Sequence, residues 1–312
     1  MSARLPGRFP WRAAPWPAGV ERPLPDRGVG TAYDTGWSRK PPVRVLRAAL
    51  LDTLGRPLVA AVASPRVVGA EILEGIEPPV IFVANHASHI DTGLILYCLP
   101  TRLRHKTVVA AAADHFFDRR WKAHLWAFTL AAIPIERHRV NRASAELAAG
   151  LLDDGWNLII FPEGGRSPDG WQQPFRGGAA YLAKRTGRPV VPMHLAGTAL
   201  VLPKKPPGSR RARPSRSPCT VHFGKPLSAL PGEDARRLGA RIESAVALLA
   251  DESSSDFWSA RLRHAAGNTP SPSGPAASPW RRAWELPRPE GRHGSPDSPR
   301  GAPGTPWERR SR

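Results

Sequence analysis

Two cysteines in 312 residues, Cys98 and Cys219, are too few for a disulfide framework and match no metal-binding spacing. Both read as free thiols, which fits a reducing compartment. Long apolar runs are also scarce. The best stretch, Ala48–Ala63, is interrupted by Asp52, Arg56 and Pro57 and falls short of the roughly twenty apolar residues a membrane-spanning helix needs. Trp11–Gly19 offers no continuous apolar h-region, so no secretory signal is expected. A G-x-S-x-G elbow is missing as well, which removes the commonest strand-to-helix serine nucleophile. Acidic residues are outnumbered: 26 Asp and Glu stand against 45 Lys and Arg, giving a net charge of +19.

That charge is concentrated at the ends and in one loop. Residues 1–40 hold seven basic and three acidic residues, 203–218 six basic and none acidic, and 260–312 ten basic and four acidic. The 36 prolines cluster in the same places. Such segments bury too little apolar surface to offset ordering entropy. The expectation is a disordered or linker segment over 1–42, one domain over 43–264 and a disordered Pro/Arg-rich tail over 265–312. Basic arms on a near-neutral core suit an anionic membrane surface better than nucleic acid here, although biased composition explains arginine-rich tails equally well. Val43–Leu54 reads as an interfacial helix, with Arg44 and Arg47 beside Val43, Leu46, Leu50 and Leu51.

Within the domain, strand-like and helix-like patterns alternate. Val80–Ala84, Lys106–Ala112, Ala131–Ile135, Trp156–Phe161, Pro189–Leu195 and Thr220–Phe223 are short apolar runs. Helical patterns cover Thr92–Leu99, Trp121–Leu130, Asn141–Leu152, Gly178–Arg185 and Asp234–Leu249. This alternation predicts an α/β fold, a mostly parallel central sheet flanked by helices. Chemistry in such sheets gathers at the carboxyl ends of the strands.

Three stretches sit just past predicted strand ends. Asn85-His86-Ala87-Ser88-His89-Ile90-Asp91 offers an imidazole with a carboxylate five residues on. If a helix starts near Ser88 or His89, Asp91 can reach back to His86 and orient it to accept a hydroxyl proton. A capped helix N-terminus with an idle histidine reads the same residues without chemistry. A metal held by His86, His89 and Asp91 is disfavoured, because no third histidine or glutamate is placed to help. Phe161-Pro162-Glu163-Gly164-Gly165-Arg166-Ser167 ends a strand in a tight turn that exposes main-chain amides beside a guanidinium suited to phosphate. Ile133-Pro134-Ile135-Glu136-Arg137 brings a second arginine. Together they point to hydroxyl activation beside a phosphate-bearing substrate.

The set resembles a known family. His86-x-x-x-x-Asp91 is similar to the H-x-x-x-x-D signature of glycerolipid acyltransferases of the 1-acylglycerol-3-phosphate acyltransferase kind. Phe161–Ser167 resembles their F-P-E-G-T-R-S block, Ile133–Arg137 occupies the place of their arginine block, and Val190-Val191-Pro192-Met193 resembles a fourth. Order and spacing agree over about residues 75–230. The resemblance implies acyl transfer from acyl-CoA or acyl carrier protein to a lysophospholipid hydroxyl, with no cofactor and no metal. It implies His86 as general base and Asp91 as its orienter. Arg137 and Arg166 would hold the acceptor phosphate, with Glu163, Gly164 and Gly165 forming that pocket. It also implies a peripheral location on the cytoplasmic face of a membrane. Gly165 stands where the family has threonine, and no glycine leads Ile135-Glu136-Arg137, so another polar lyso-lipid or glycolipid stays open as acceptor. A non-catalytic anionic-surface binder is the rival of a different class.

Overall fold

The computed structural model describes residues 29–137, 142–202, 215–274 and 282. Seven strands make one sheet: β1 (Pro65–Val68), β2 (Ile81–Ala84), β3 (Thr107–Ala112), β4 (Ala132–Ile135), β5 (Asn157–Ile160), β6 (Val190–Ala196) and β7 (Cys219–Phe223). Their spatial order is β1-β7-β6-β2-β5-β3-β4. Every neighbouring pair is parallel except β6 and β7, which run antiparallel. β2 lies between β5 and β6. Ile81, Phe82, Val83 and Ala84 are all fully buried, which is why that strand reads as an unbroken apolar run.

Side chains of β2 alternate between two cores. Phe82 and Ala84 join a cluster with α2 (Arg56–Ala63), α3 (Ala70–Glu74), α4 (Asp91–Cys98) and α5 (Thr101–Arg104). Ile81 and Val83 face the cluster formed by α8 (Arg142–Asp153), α9 (Gly178–Thr186) and α11 (Ala235–Ser254). α11 is started by Asp234, whose carboxylate accepts from the Arg237 amide at 2.7 Å. It buries Leu238, Ile242, Val246 and Leu249 at helical spacing. α12 (Phe257–Ala265) packs on α11. Near β4, α6 (Ala113–Phe116) and α7 (Arg120–Leu130) enclose a small cluster around Phe117, and α10 (Thr198–Val201) follows β6.

Three expectations need correction. Residues 29–42, read as linker, form two 3-10 turns, Gly30–Ala32 and Gly36–Arg39, and the start of α1 (Pro41–Leu50). Tyr33, Thr35 and Ser38 are buried there, with the Tyr33 ring 5.6 Å from that of Phe117. One aromatic anchor outweighs the polar composition around it. Residues 265–274, assigned to the tail, are described too, and Gln172 donates its amide to the Pro272 carbonyl at 3.1 Å. β1 was not foreseen: it is an edge strand with Arg66, Val67 and Val68 exposed, so it lacks the apolar run that marks its neighbours. The basic segments 1–28, 203–214 and 283–312 lie outside the described residues.

A helix stands where the interfacial helix was expected. α1 continues through a π turn, Leu51–Gly55, into α2. Arg47 points inward, 3 % exposed, and donates to the Ser38 carbonyl at 2.7 Å. Val45, Leu46, Leu54 and Leu58 point outward, each about 60 to 70 % exposed. Leu54 and Leu58 also line, with Leu50, Tyr97, Leu125 and Leu130, an apolar groove of about 370 Å³. No helix among the described residues is long and apolar enough to cross a membrane.

Candidate active site

β2, β4, β5 and β6 point the same way, so the residues after them share one edge of the sheet. The backbone leaving β2 is held by Asn85, whose side chain bridges to β6. Its Nδ2 donates to the Leu195 carbonyl at 3.0 Å, and its Oδ1 accepts from the Leu195 amide at 2.7 Å. His86 comes next. Its Nδ1 lies 2.8 Å from Asp91 Oδ2, and Asp91, the first residue of α4, is completely buried. The same oxygen accepts from the amides of Ala87 and Ser88, both at 2.8 Å. A carboxylate oxygen with two amide donors is an acceptor, so Nδ1 carries the hydrogen and Nε2 keeps its lone pair. The ring is 17 % exposed and stacks on Phe161, with centroids 4.2 Å apart. Ser88 does not cap α4. Its hydroxyl donates to the Leu202 carbonyl at 3.0 Å, and Asp91 does the reaching back.

The turn after β5 is tied to the same corner. Glu163 is buried, and its two oxygens accept from the amides of His86 at 2.6 Å and Gln173 at 2.9 Å. Burial pushes its carboxyl up to about 7, against those two hydrogen bonds, which favour the charged form; nearby Asp91 adds to the rise. Ser167 donates its amide to the His86 carbonyl at 2.8 Å. Gly164 has φ +73°, and a Cβ there would meet the Arg176 guanidinium at 2.9 Å. Only glycine takes that conformation with that neighbour freely.

Arg137 is engaged with its neighbours. Its Nη2 pairs with Asp114 Oδ2 at 2.5 Å, and its Nη1 reaches the Gly164 carbonyl at 3.5 Å. Gly165 leaves the space over that guanidinium open, since a Cβ there would sit 3.4 Å from Arg137 Nη1. Arg166 is half-buried, and desolvation lowers its pKa while Asp91 opposes the shift. His89 does not converge with His86 on a common point. It stacks on His115, centroids 6.3 Å apart, and burial, then Arg166, His115 and His86, push it down to about 4. Among the described residues no three His, Cys, Asp or Glu side chains form a metal-holding group.

The structure thus brings His86, Asp91, Glu163 and Gly164 into one hydrogen-bonded corner, with Arg137 beside Gly164 and Gly165. Sequence reasoning missed Asn85 as a clamp, Asp114 as the partner of Arg137, and Arg176, whose guanidinium packs under Gly164 and donates to the Arg137 carbonyl. No motif marks Asp114 or Arg176, which meet the site only through folding. Asn85 stood inside the quoted stretch, and a polar residue that ends an otherwise apolar strand was the available signal.

An α/β sheet with its polar residues gathered at the carboxyl ends of parallel strands defines the class: a doubly covered α/β domain with an edge-on site. Residues 64–196 match the family model described as Acyltransferase. The chain is 32% identical over 176 residues to a 1-acyl-sn-glycerol-3-phosphate acyltransferase of Cocos nucifera, covering 55% of this chain and 53% of that protein. It is 34% identical over 153 residues to the one from Limnanthes alba, covering 47% and 50%. The chain therefore spans about half the length of these relatives. The crystal structure of the 1-acyl-sn-glycerophosphate acyltransferase PlsC from Thermotoga maritima shares the fold, with TM-score 0.51 at 22% identity, covering 65% of this chain and 78% of that one.

Proposed function

We propose that this protein transfers a fatty acyl group from acyl-CoA or acyl carrier protein to the free hydroxyl of 1-acylglycerol-3-phosphate, giving phosphatidic acid. The observation that carries the reading is the buried Asp91 carboxylate on His86 Nδ1, which leaves Nε2 free to accept a proton. The acceptor hydroxyl gives its proton to Nε2 as its oxygen attacks the thioester carbonyl. Asp91 keeps the ring oriented and stabilises the imidazolium that forms. Collapse of the tetrahedral adduct breaks the C–S bond, and the imidazolium returns the proton to the departing sulfur. No protein nucleophile, metal or cofactor is required. Arg166 and Arg137 are the groups suited to the acceptor phosphate, and relatives named for this activity support the choice.

The exposed Val45, Leu46, Leu54 and Leu58, with Trp121 61 % exposed on α7, suit peripheral contact with a membrane surface. The apolar groove that Leu54 and Leu58 help to line suits an acyl chain. A second acceptor reading, another polar lyso-lipid or a glycolipid, is favoured by one observation: Arg137 already has Asp114 as a partner. The test is labelled long-chain acyl-CoA with a panel of lyso-lipids, using wild type and His86→Ala. Acylation of lysophosphatidate that the variant lacks is expected. Product with another acceptor alone moves the reading to the second substrate, and equal product from both proteins overturns the role of His86.

A further inference from the structure

The turn after β5 continues as a loop, residues 161–176, that bears Glu163 to Arg166 on its inner limb. Its outer limb has few contacts of its own. Asp169 Oδ1 accepts from the Trp171 amide at 3.2 Å, and the Ser167 hydroxyl accepts from the Gly170 amide at 2.8 Å. Further support comes from residues about a hundred positions along the chain. The Pro272 carbonyl accepts from the Gln172 amide at 3.1 Å. Gly274, at φ +73°, lies flat against the Trp171 indole, where any Cβ would collide with the ring. Arg282 accepts from the indole N–H at 2.9 Å through its carbonyl, and its Nε donates to Asp169 Oδ2 at 2.8 Å.

Gln172, on the outer limb, is buried at 7 % exposure. The same loop reaches His86 directly: Gln173 donates its amide to Glu163 Oε2, Glu163 Oε1 accepts from the His86 amide, and Ser167 donates to the His86 carbonyl. A change in the outer limb is therefore two hydrogen bonds from the histidine and one turn from Arg166.

We infer that Pro272, Gly274 and Arg282 form a strap on the 161–176 loop, and that Asp169, Trp171 and Arg282 are positioning residues for binding the phosphate-bearing acceptor. The inference rests on the acyl-transfer reading above. The strap acts through the loop and touches no reacting atom, so its loss weakens acceptor binding more than it slows the chemistry.

The experiment uses the 312-residue chain with Arg282→Ala, Asp169→Asn, the double variant, and Arg282→Lys as the conservative control. Steady-state kinetics are measured with lysophosphatidate and a long-chain acyl-CoA, and amide hydrogen exchange is followed over 163–173. Each single variant should raise KM for the acceptor about threefold to fivefold, the range available to a part-exposed ion pair. KM for the donor and kcat should stay within about twofold. The double variant should be no worse than either single one, because both remove the same contact, and Arg282→Lys should recover part of the loss. Amides of 167–173 should exchange faster in Arg282→Ala while those of β2 are unchanged. An unchanged acceptor KM overturns the positioning role, as does an equal fall in kcat with both substrates. Unchanged exchange in Arg282→Ala overturns the strap itself, whatever the activity. Wild type that acylates no lyso-lipid overturns the activity reading and the acceptor role with it, and leaves exchange to decide the strap alone.

Discussion

At the His86 corner Asn85, Asp91 and Glu163 are held mostly by main chain, whereas the charge of Arg137 is met chiefly by another side chain. Asp91 Oδ2 takes two amides and the imidazole, Asn85 grips both main-chain atoms of Leu195, and Glu163 takes two amides. Arg137 instead leans on Asp114, a carboxylate that is 44 % exposed, and on a 3.5 Å contact to Gly164. Main-chain partners cannot rotate away and are shielded from salt, while an exposed ion pair can dissolve and re-form around a ligand. The difference suits the two tasks of the proposed reaction: a proton acceptor that is pre-aimed, and an anion-binding side that can exchange its internal partner for the acceptor's phosphate.

Substitution is the most direct way to break that contrast. His86→Ala should lower kcat by about a thousandfold, within the range general bases contribute. Asp91→Asn should follow at about a hundredfold, since an amide in its place also loses its fit to two main-chain donors; single-turnover rates with saturating acceptor would check both. On the arginine side the effect should fall on KM. Arg166→Ala is expected to raise acceptor KM about tenfold to a hundredfold, the worth of a charge-assisted hydrogen bond. Arg137→Ala should cost less than about fivefold, because Asp114 already occupies that guanidinium. Equal losses from the two arginines would show that Asp114 gives way completely when substrate arrives.

Glu163 sharpens the comparison through pH. Its carboxyl titrates near 7 in the folded protein against an ordinary value of 4.5, so between those values the folded state holds a proton that the unfolded chain has released. That stability is fully present below 4.5 and is lost as pH rises through about 7, by on the order of 3 kcal/mol. His89, held at about 4 by burial, pulls the other way as pH falls. Denaturant titrations of wild type and Glu163→Gln from pH 4 to 8 separate the two, since the difference between the proteins carries the Glu163 contribution alone. A constant difference would mean that the carboxyl keeps its ordinary value in the folded protein, its two amide hydrogen bonds balancing its burial. Smallest of all should be Gly165→Thr, whose Cβ would meet Arg137 Nη1 at ordinary contact distance. A change in acceptor KM of about twofold is expected, read in the same assay.

Much of this could be read from the chain itself. The six apolar runs became strands because burial on both faces demands them, and the five-residue offset from His86 to Asp91 closed because α4 starts at Asp91. The sheet's carboxyl edge then collected the remaining blocks. What escaped reading has two physical sources. β1 pairs at an edge, so it needs no apolar pattern, and Tyr33 carries one contact in a stretch whose composition is otherwise that of a linker. Arg47 is charged, yet the Ser38 carbonyl gives it an inward partner that no local pattern announces. Asp114, Arg176 and Arg282 are long-range partners, and a single sequence does not encode a pair separated by 23, 39 or 113 positions in any visible period.

The π turn at Leu51–Gly55 has a further geometrical consequence. In an unbroken α-helix the eight residues from Leu46 to Leu54 would advance by roughly 100° each and leave the two leucines about 80° out of phase. A wider turn advances less per residue, so it acts as a phase corrector, swinging Leu54 and Leu58 back toward the side of Val45 and Leu46. Asp52, inside the same turn, meanwhile reaches Arg104 at 2.9 Å and His105 at 3.0 Å. Two short helices thereby present one continuous oily keel, with its rudder fixed to the body by a carboxylate.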